Sequence, residues 1–169
     1  LQFRNDLIAV KKPVFPFNKF PNQNVFLSPE MKSTGEVIGF DKYLGSAYAK
    51  AESAAGQPLP TQGKIFISIN DCDKLSAISI ARDFKELGFS IIATKGTSQL
   101  LNDNGIPANS IFKVGEGRPN VVDAIKNAEV QLVINTPLGA QSRYDEYEIG
   151  KSAITYKVPV ITTISGAQA

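Results

Sequence analysis

The chain has 169 residues, 43% hydrophobic and 20% charged, with a formal net charge of +2, the profile of an ordinary globular protein with a substantial core. That small surplus, with no basic stripe interleaved with aromatics, points away from a nucleic-acid surface, and no apolar run nears the roughly 20 residues of a membrane span. A single cysteine, Cys72, excludes an intramolecular disulfide and fits a reducing, cytoplasmic setting, while the absence of histidine excludes Ser-His-Asp and Cys-His triads and histidine-ligated metals. Composition and spacing single out no catalytic residue, no metal site and no cofactor in this chain. Its start, Leu1-Gln2-Phe3-Arg4-Asn5-Asp6, lacks an initiator methionine and any signal-peptide pattern, and reads as cut from something longer.

Residues 1–55 read as an irregular region followed by a helix. Residues 10–21 are apolar but broken by Pro13, Pro16 and Pro21, which forbid a helix or a central strand. Such a stretch is expected to pack extended over another surface. A helix is predicted from Asp41 to Ala55, capped by Asp41, with Tyr43, Leu44, Ala47, Tyr48 and Ala51 as its apolar stripe. This region has no periodic core of its own, so its packing partner is expected elsewhere. Residues 56–63, with two prolines and two glycines, read as a linker.

Residues 64–169 read as a separate α/β domain. Strands are predicted at 65–69, 89–93, 111–114, 131–134 and 158–162. Helices are predicted at 73–87, 98–104, 120–127 and 142–156. The first of these would turn Ile78, Ala81, Phe84 and Leu87 to the core and end at Gly88, and the second would close at Gly105. Pro119, after the Gly115-Glu116-Gly117-Arg118 loop, suits the first turn of the third. Alternation at this spacing implies a parallel sheet with helices on both faces, and near-continuous apolar strands agree.

In an open parallel sheet, ligands bind beyond the carboxyl ends of the strands. Ser68, Asn70, Asp71, Asp73 and Lys74 follow the first strand; Thr94-Lys95-Gly96-Thr97 the second; Lys113 and the Gly-Glu-Gly-Arg loop the third; Asn135-Thr136 the fourth. A glycine before a helix lets backbone N–H groups converge on one spot, and the helix dipole and a lysine favour an anion there. Each feature alone has a plain structural reading, as a helix cap or a solvated lysine. No Gly-x-Gly-x-x-Gly and no Gly-x-x-x-x-Gly-Lys-Ser/Thr is present, so dinucleotide and Walker-type sites are poorly supported. From the residues alone the reading stops at an anion-binding α/β domain.

The same residues resemble the C-terminal end of the carbamoyl-phosphate synthetase large subunit. Phe15-Pro16-Phe17-Asn18-Lys19-Phe20-Pro21 and Pro29-Glu30-Met31-Lys32-Ser33-Thr34-Gly35-Glu36-Val37 look like the end of its second ATP-grasp half. Ala93 to Thr97, Lys113 to Pro119 and Val133-Ile134-Asn135-Thr136 look like its allosteric domain, and the likeness runs through nearly the whole chain in order. The resemblance implies a methylglyoxal-synthase-like three-layer sandwich with a five-stranded parallel sheet, ending here before the family's last helix. It also implies a regulatory role in ATP-dependent, Mg- or Mn-assisted carbamoyl phosphate synthesis from glutamine and bicarbonate for the pyrimidine and arginine pathways. The implied partners are the rest of the large subunit and the glutaminase small subunit, with neither nucleic acid nor membrane.

The implied ligand is a phosphorylated effector of the UMP or IMP class. Its phosphate would meet Lys74, Thr94, Gly96, Thr97 and Lys113, with Asn135 and Thr136 beside it and Ser68 near the sugar. The sequence departs from the family at three places. Pro137 stands where another threonine is usual, Gly139-Ala140-Gln141 replaces a Gly-Arg-Arg stretch, and Val160 replaces an ornithine-contacting tyrosine, though Thr162 remains. The first two bear on which effector binds and the third on ornithine control. The alternatives are a methylglyoxal synthase-like lyase acting on dihydroxyacetone phosphate, the related cyclohydrolase of purine synthesis, or a non-binding oligomerisation domain. The lyase needs an aspartate base and histidine assistance, and only Glu116 lies near the expected position of the base.

Overall fold

The computed structural model describes residues 6–15, 35–136 and 143–169. They divide into one unit up to Leu59, with Ala169, and a second from Pro60 to Gln168. Residues 16–34, which hold most of the Pro-Glu-Met-Lys-Ser-Thr-Gly-Glu-Val string, and residues 137–142, which hold Pro137 and Gly139-Ala140-Gln141, lie outside the described residues.

In the first unit, β1 (Ile8–Val14) pairs antiparallel with β2 (Gly35–Asp41), and α1 (Leu44–Ala54) packs on both. Part of the stretch expected to lie extended over another surface is thus a paired strand. Pro13, opposite Glu36, is tolerated because both strands of a two-stranded sheet are edges. The unit also has a small core of its own, which the sequence pattern concealed. Ala47 and Ala51 are buried against β2, and a Cβ on Gly39 would stand 2.1 Å from the Ala47 carbonyl oxygen. Only glycine permits that approach of strand to helix.

Asp41 does not cap α1. The helix starts at Leu44 with Tyr43 at the N-cap position, and Asp41 ends β2. Its Oδ2 accepts from the Lys50 ammonium at 2.7 Å and its Oδ1 from the Tyr43 N–H at 3.2 Å; Lys50 first, then that N–H, hold its carboxyl below the ordinary carboxylate value. Tyr43 and Leu44 are exposed rather than part of the buried stripe. Glu52, buried in α1, is paired with Lys12 of β1. Burial, and after it the neighbouring Glu52 carboxylate, push the Tyr48 hydroxyl well above its ordinary value.

The second unit is a three-layer sandwich. Its strands β3 (Lys64–Ser68), β4 (Ser90–Thr94), β5 (Ala108–Ile111), β6 (Leu132–Asn135) and β7 (Val160–Ile161) form one parallel sheet in the order β5-β4-β3-β6-β7. The helices are α2 (Lys74–Glu86), α3 (Lys95–Asp103), α4 (Val121–Lys126), α5 (Arg143–Thr155) and α6 (Ile164–Gln168). Helix α2 packs with α3 and α6, and α4 with α5, the two-sided arrangement that right-handed crossovers produce in this strand order. Alternation along the strands splits the core. Phe66, Ile92 and Val133 join Val121, Ala124, Ile125, Ile149 and Ala153 of α4 and α5. Ile65, Ile67, Ile91, Ala93, Leu132 and Ile134, also buried, point to the opposite face.

Several boundaries differ from the sequence pattern. Helix α3 begins at Lys95 rather than residue 98, because a first-turn glycine forfeits no intrahelical hydrogen bond. Strand β5 lies at 108–111 rather than 111–114. It is an edge strand whose exposed Asn109 and Ser110 hide it, while the apolar Phe112 that suggested it is exposed. Pro119 lies outside α4. The N-cap is Asn120, whose Oδ1 accepts from the Val122 and Asp123 N–H groups while Asp123 accepts from its own N–H. Helix α2 buries Ala77, Ile80 and Ala81 and leaves Leu87 exposed, a face rotated from the one expected. The short α6 had no apolar period to announce it.

Candidate functional site

Strand order places the site before any side chain is considered. The chain winds outward from β3 through β4 to β5, then returns to lay β6 on the other flank of β3. The strand order therefore reverses between β3 and β6, and an open parallel sheet places its ligand site beyond the carboxyl ends of the strands at such a switch point. Ser68 and Asn135 are register partners at those two ends. Counting by twos from Phe66, Ile92 and Val133 puts Ser68, Thr94 and Asn135 on the α4/α5 face of the sheet.

One cleft at this edge is lined by Phe66, Ser68, Thr94, Lys113, Val121, Asn135, Thr136, Asp145, Glu146 and Ile149. Five of the eight residues singled out in the sequence, Ser68, Thr94, Lys113, Asn135 and Thr136, thus line one cleft. The other three adjoin it less directly. Thr97 is buried, and its Oγ1 accepts from the Thr94 hydroxyl at 3.3 Å; it stands behind Thr94 rather than in the cleft. Gly96 lies in the first turn of α3, where a Cβ would come within 3.9 Å of the Lys74 ammonium. Lys74 therefore stands over the N-terminus of α3, where the first-turn N–H groups have no intrahelical acceptor.

Lys74 is held there by Asp71 of the preceding 3-10 turn. The hydrogen bond and charge of Lys74, with a further contribution from Lys113, keep the Asp71 carboxyl below its ordinary value. Both lysines are therefore close enough to act on one carboxylate. Asn70 builds the turn: its Oδ1 accepts from the Asp73 N–H at 3.0 Å and its Nδ2 donates to Asp73 Oδ2 at 2.6 Å. Thr136 ties the turn to β6, accepting at Oγ1 from the Asn70 N–H at 3.1 Å and donating its own N–H to the Ser68 carbonyl at 3.0 Å. Lys113 is carried by a tight turn in which its N–H donates to Glu116 Oε2 at 3.3 Å and its carbonyl accepts from the Glu116 N–H at 3.2 Å.

Two charged members of the cleft escaped the sequence pattern. Asp145 and Glu146 sit in the first turn of α5, where acidic residues are ordinary because they suit the helix dipole. Nothing local distinguishes a carboxylate that also faces a ligand cleft. Burial pushes the Asp145 carboxyl above its ordinary value; Lys113 opposes that, and Glu116 and Glu146 reinforce it. The cleft thus offers hydroxyls, an amide, a lysine and two carboxylates from α5, with Thr94, the N-cap residue of α3, in its lining. Among the described residues no helix is long and apolar enough to cross a membrane.

A family model described as "MGS-like domain" matches residues 76–162, a span that contains Thr94, Gly96, Thr97, Lys113, Asn135 and Thr136 as well as Asp145. A carbamoyl phosphate synthase large chain of Archaeoglobus fulgidus is 53% identical over 163 residues, 96% of this chain and 15% of that protein. One from Nostoc sp. is 50% identical over 162 residues, with the same two shares. The carbamoyl phosphate synthase large chain, C-terminal section, of Aquifex aeolicus is 47% identical over 163 residues, 96% of this chain and 30% of its own length. The chain therefore spans between 15% and 30% of the length of these relatives. With a five-stranded parallel sheet sandwiched between helices and a family match across just over half its length, this chain belongs to the MGS-like domain family.

Proposed function

We propose that the second unit is the allosteric domain of a carbamoyl phosphate synthase large chain, binding the phosphate of a UMP- or IMP-class nucleotide. The observation that carries this reading is the convergence of Ser68, Thr94, Lys113, Asn135 and Thr136 on one cleft beside the N-terminus of α3. A phosphate there would receive charge-assisted hydrogen bonds from lysine and backbone N–H donors. The names of the relatives support the larger context. In it, residues 1–55 end an ATP-grasp half that uses ATP with Mg or Mn. The partners are the remainder of the large chain and a glutaminase small subunit, in the cytoplasm, and the product serves pyrimidine and arginine synthesis. An effector that binds one arrangement of the assembly better than another biases the equilibrium between them. The lyase alternative gains a carboxylate in Asp145, but the chain contains no histidine to assist it.

Calorimetric titration with UMP, IMP and inorganic phosphate tests the proposal. Binding is expected for at least one of them. Lys113→Ala should weaken it roughly ten- to a hundredfold, the worth of a hydrogen bond to a charged group, without lowering the melting temperature of the ligand-free protein. Thr97→Ala should weaken it too, but because Thr97 is 2% exposed, that variant should also melt earlier. Unaltered affinity in Lys113→Ala would remove the cradle from consideration.

A further inference from the structure

We propose that anion binding at this cleft is proton-linked through Asp145, the carboxylate that shares the cleft with Lys113. The proposal rests on the anion reading above and adds its regulation. Among the described residues, the charged groups placed at the site come from three elements. The turn after β5 supplies Lys113 and Glu116, the turn after β3 supplies Asp71 with its partner Lys74, and α5 supplies Asp145 and Glu146. The remaining polar lining, Ser68, Thr94, Asn135 and Thr136, is uncharged at every relevant pH.

An anion settling on Lys113 meets the carboxylate of Asp145 within the same cleft. Lys113 then shares its field between the anion and the carboxylate. Two like charges in one partly buried cleft raise the free energy of the ionised carboxyl, so the bound state favours a proton on Asp145 more than the free state does. The free protein is already biased that way, since burial lifts this carboxyl above its ordinary value. The sign follows: the bound complex holds more protons than the free protein, so affinity rises as pH falls. At well above the carboxyl's bound-state pKa the dependence vanishes, because Asp145 is then ionised in both states.

Sulfate is the appropriate probe, since it stays a dianion where phosphate monoesters titrate. Its affinity for the 169-residue chain should tighten several-fold between about pH 7.5 and about pH 4.5, bounded by tenfold per unit for one proton. Asp145→Asn should bind more tightly than the parent near neutrality and show a much flatter profile. A measurement without any variant is the net proton uptake per sulfate bound, from calorimetry in buffers of different ionisation enthalpy. It should be positive and below one on the acid side of neutrality. A flat profile in the parent, zero proton uptake, or an undiminished slope in Asp145→Asn would overturn the linkage and leave the anion site standing. Absence of sulfate binding at every pH in both proteins would overturn the anion reading, and the linkage with it.

Discussion

Thr136 shows how one side chain can matter to a site without supplying its charge. Buried at the end of β6, it accepts at Oγ1 from the Asn70 N–H at 3.1 Å and, more loosely, from Asn70 Nδ2 at 3.4 Å. Those bonds fix the turn that presents Asp71 and Lys74 to the N-terminus of α3. Thr136→Val preserves shape but leaves the Asn70 N–H without that acceptor, at a cost of about 1–3 kcal/mol. Urea unfolding should show that loss. Phosphate affinity should fall as well, because Lys74 loses its fixed support. A variant that is destabilised yet binds phosphate as before would restrict Thr136 to a structural role. The pairing spans 66 positions of sequence, so the string Asn135-Thr136 was legible as a strand-end polar pair while its brace to Asn70 was not. Asp145 was hidden for a different reason, since its position in a helix's first turn already accounts for a carboxylate.

At the scale of elements, legibility followed burial. β3, β4 and β6 lie inside the sheet, read as near-continuous apolar runs, and emerged within one residue of their predicted starts. β5 sits on the sheet's edge with two exposed polar residues and was displaced by three positions. The β1–β2 pair was missed altogether. Its strands are separated by 20 intervening residues, and their alternation is interrupted by Pro13 and Gly39. Gly39 carries the physical reason for the pair's packing, because its missing side chain lets α1 lie directly on β2. Gly39→Ala would drive a Cβ into the Ala47 carbonyl and the Ala51 N–H, backbone atoms that cannot swing aside. Overpacking of this kind costs about 1–3 kcal/mol. Amide exchange in β1 and β2 should accelerate roughly five- to a hundredfold, at 1.4 kcal/mol per decade, with no change in the strands of the second unit. Equal acceleration in both units would mean that they unfold together.

For the whole molecule the governing quantity is a coupling free energy, and it limits what the proposed effector can achieve. Under the proposed function, a nucleotide bound to the second unit would change the properties of the synthetic site only by its differential affinity for two states of the assembly. Typical couplings of about 1–3 kcal/mol correspond to about five- to 150-fold. Binding linkage is reciprocal, which supplies a test independent of catalysis. In a full-length large chain carrying this sequence, saturating ATP should change the affinity for UMP or IMP by the same factor by which the nucleotide changes the affinity for ATP. Lys113→Ala should need higher nucleotide concentrations to produce the effect, with the limiting factor preserved if the residue only binds the ligand, and reduced if it also distinguishes the two states. Nucleotide binding to the 169-residue chain, paired with a full-length protein in which neither affinity responds to the other ligand, would leave a binding domain without a regulatory one. The measured factor, taken at several pH values, would also show whether the Asp145 linkage acts on occupancy alone. A proton that affects only binding shifts the midpoint and leaves the factor unchanged.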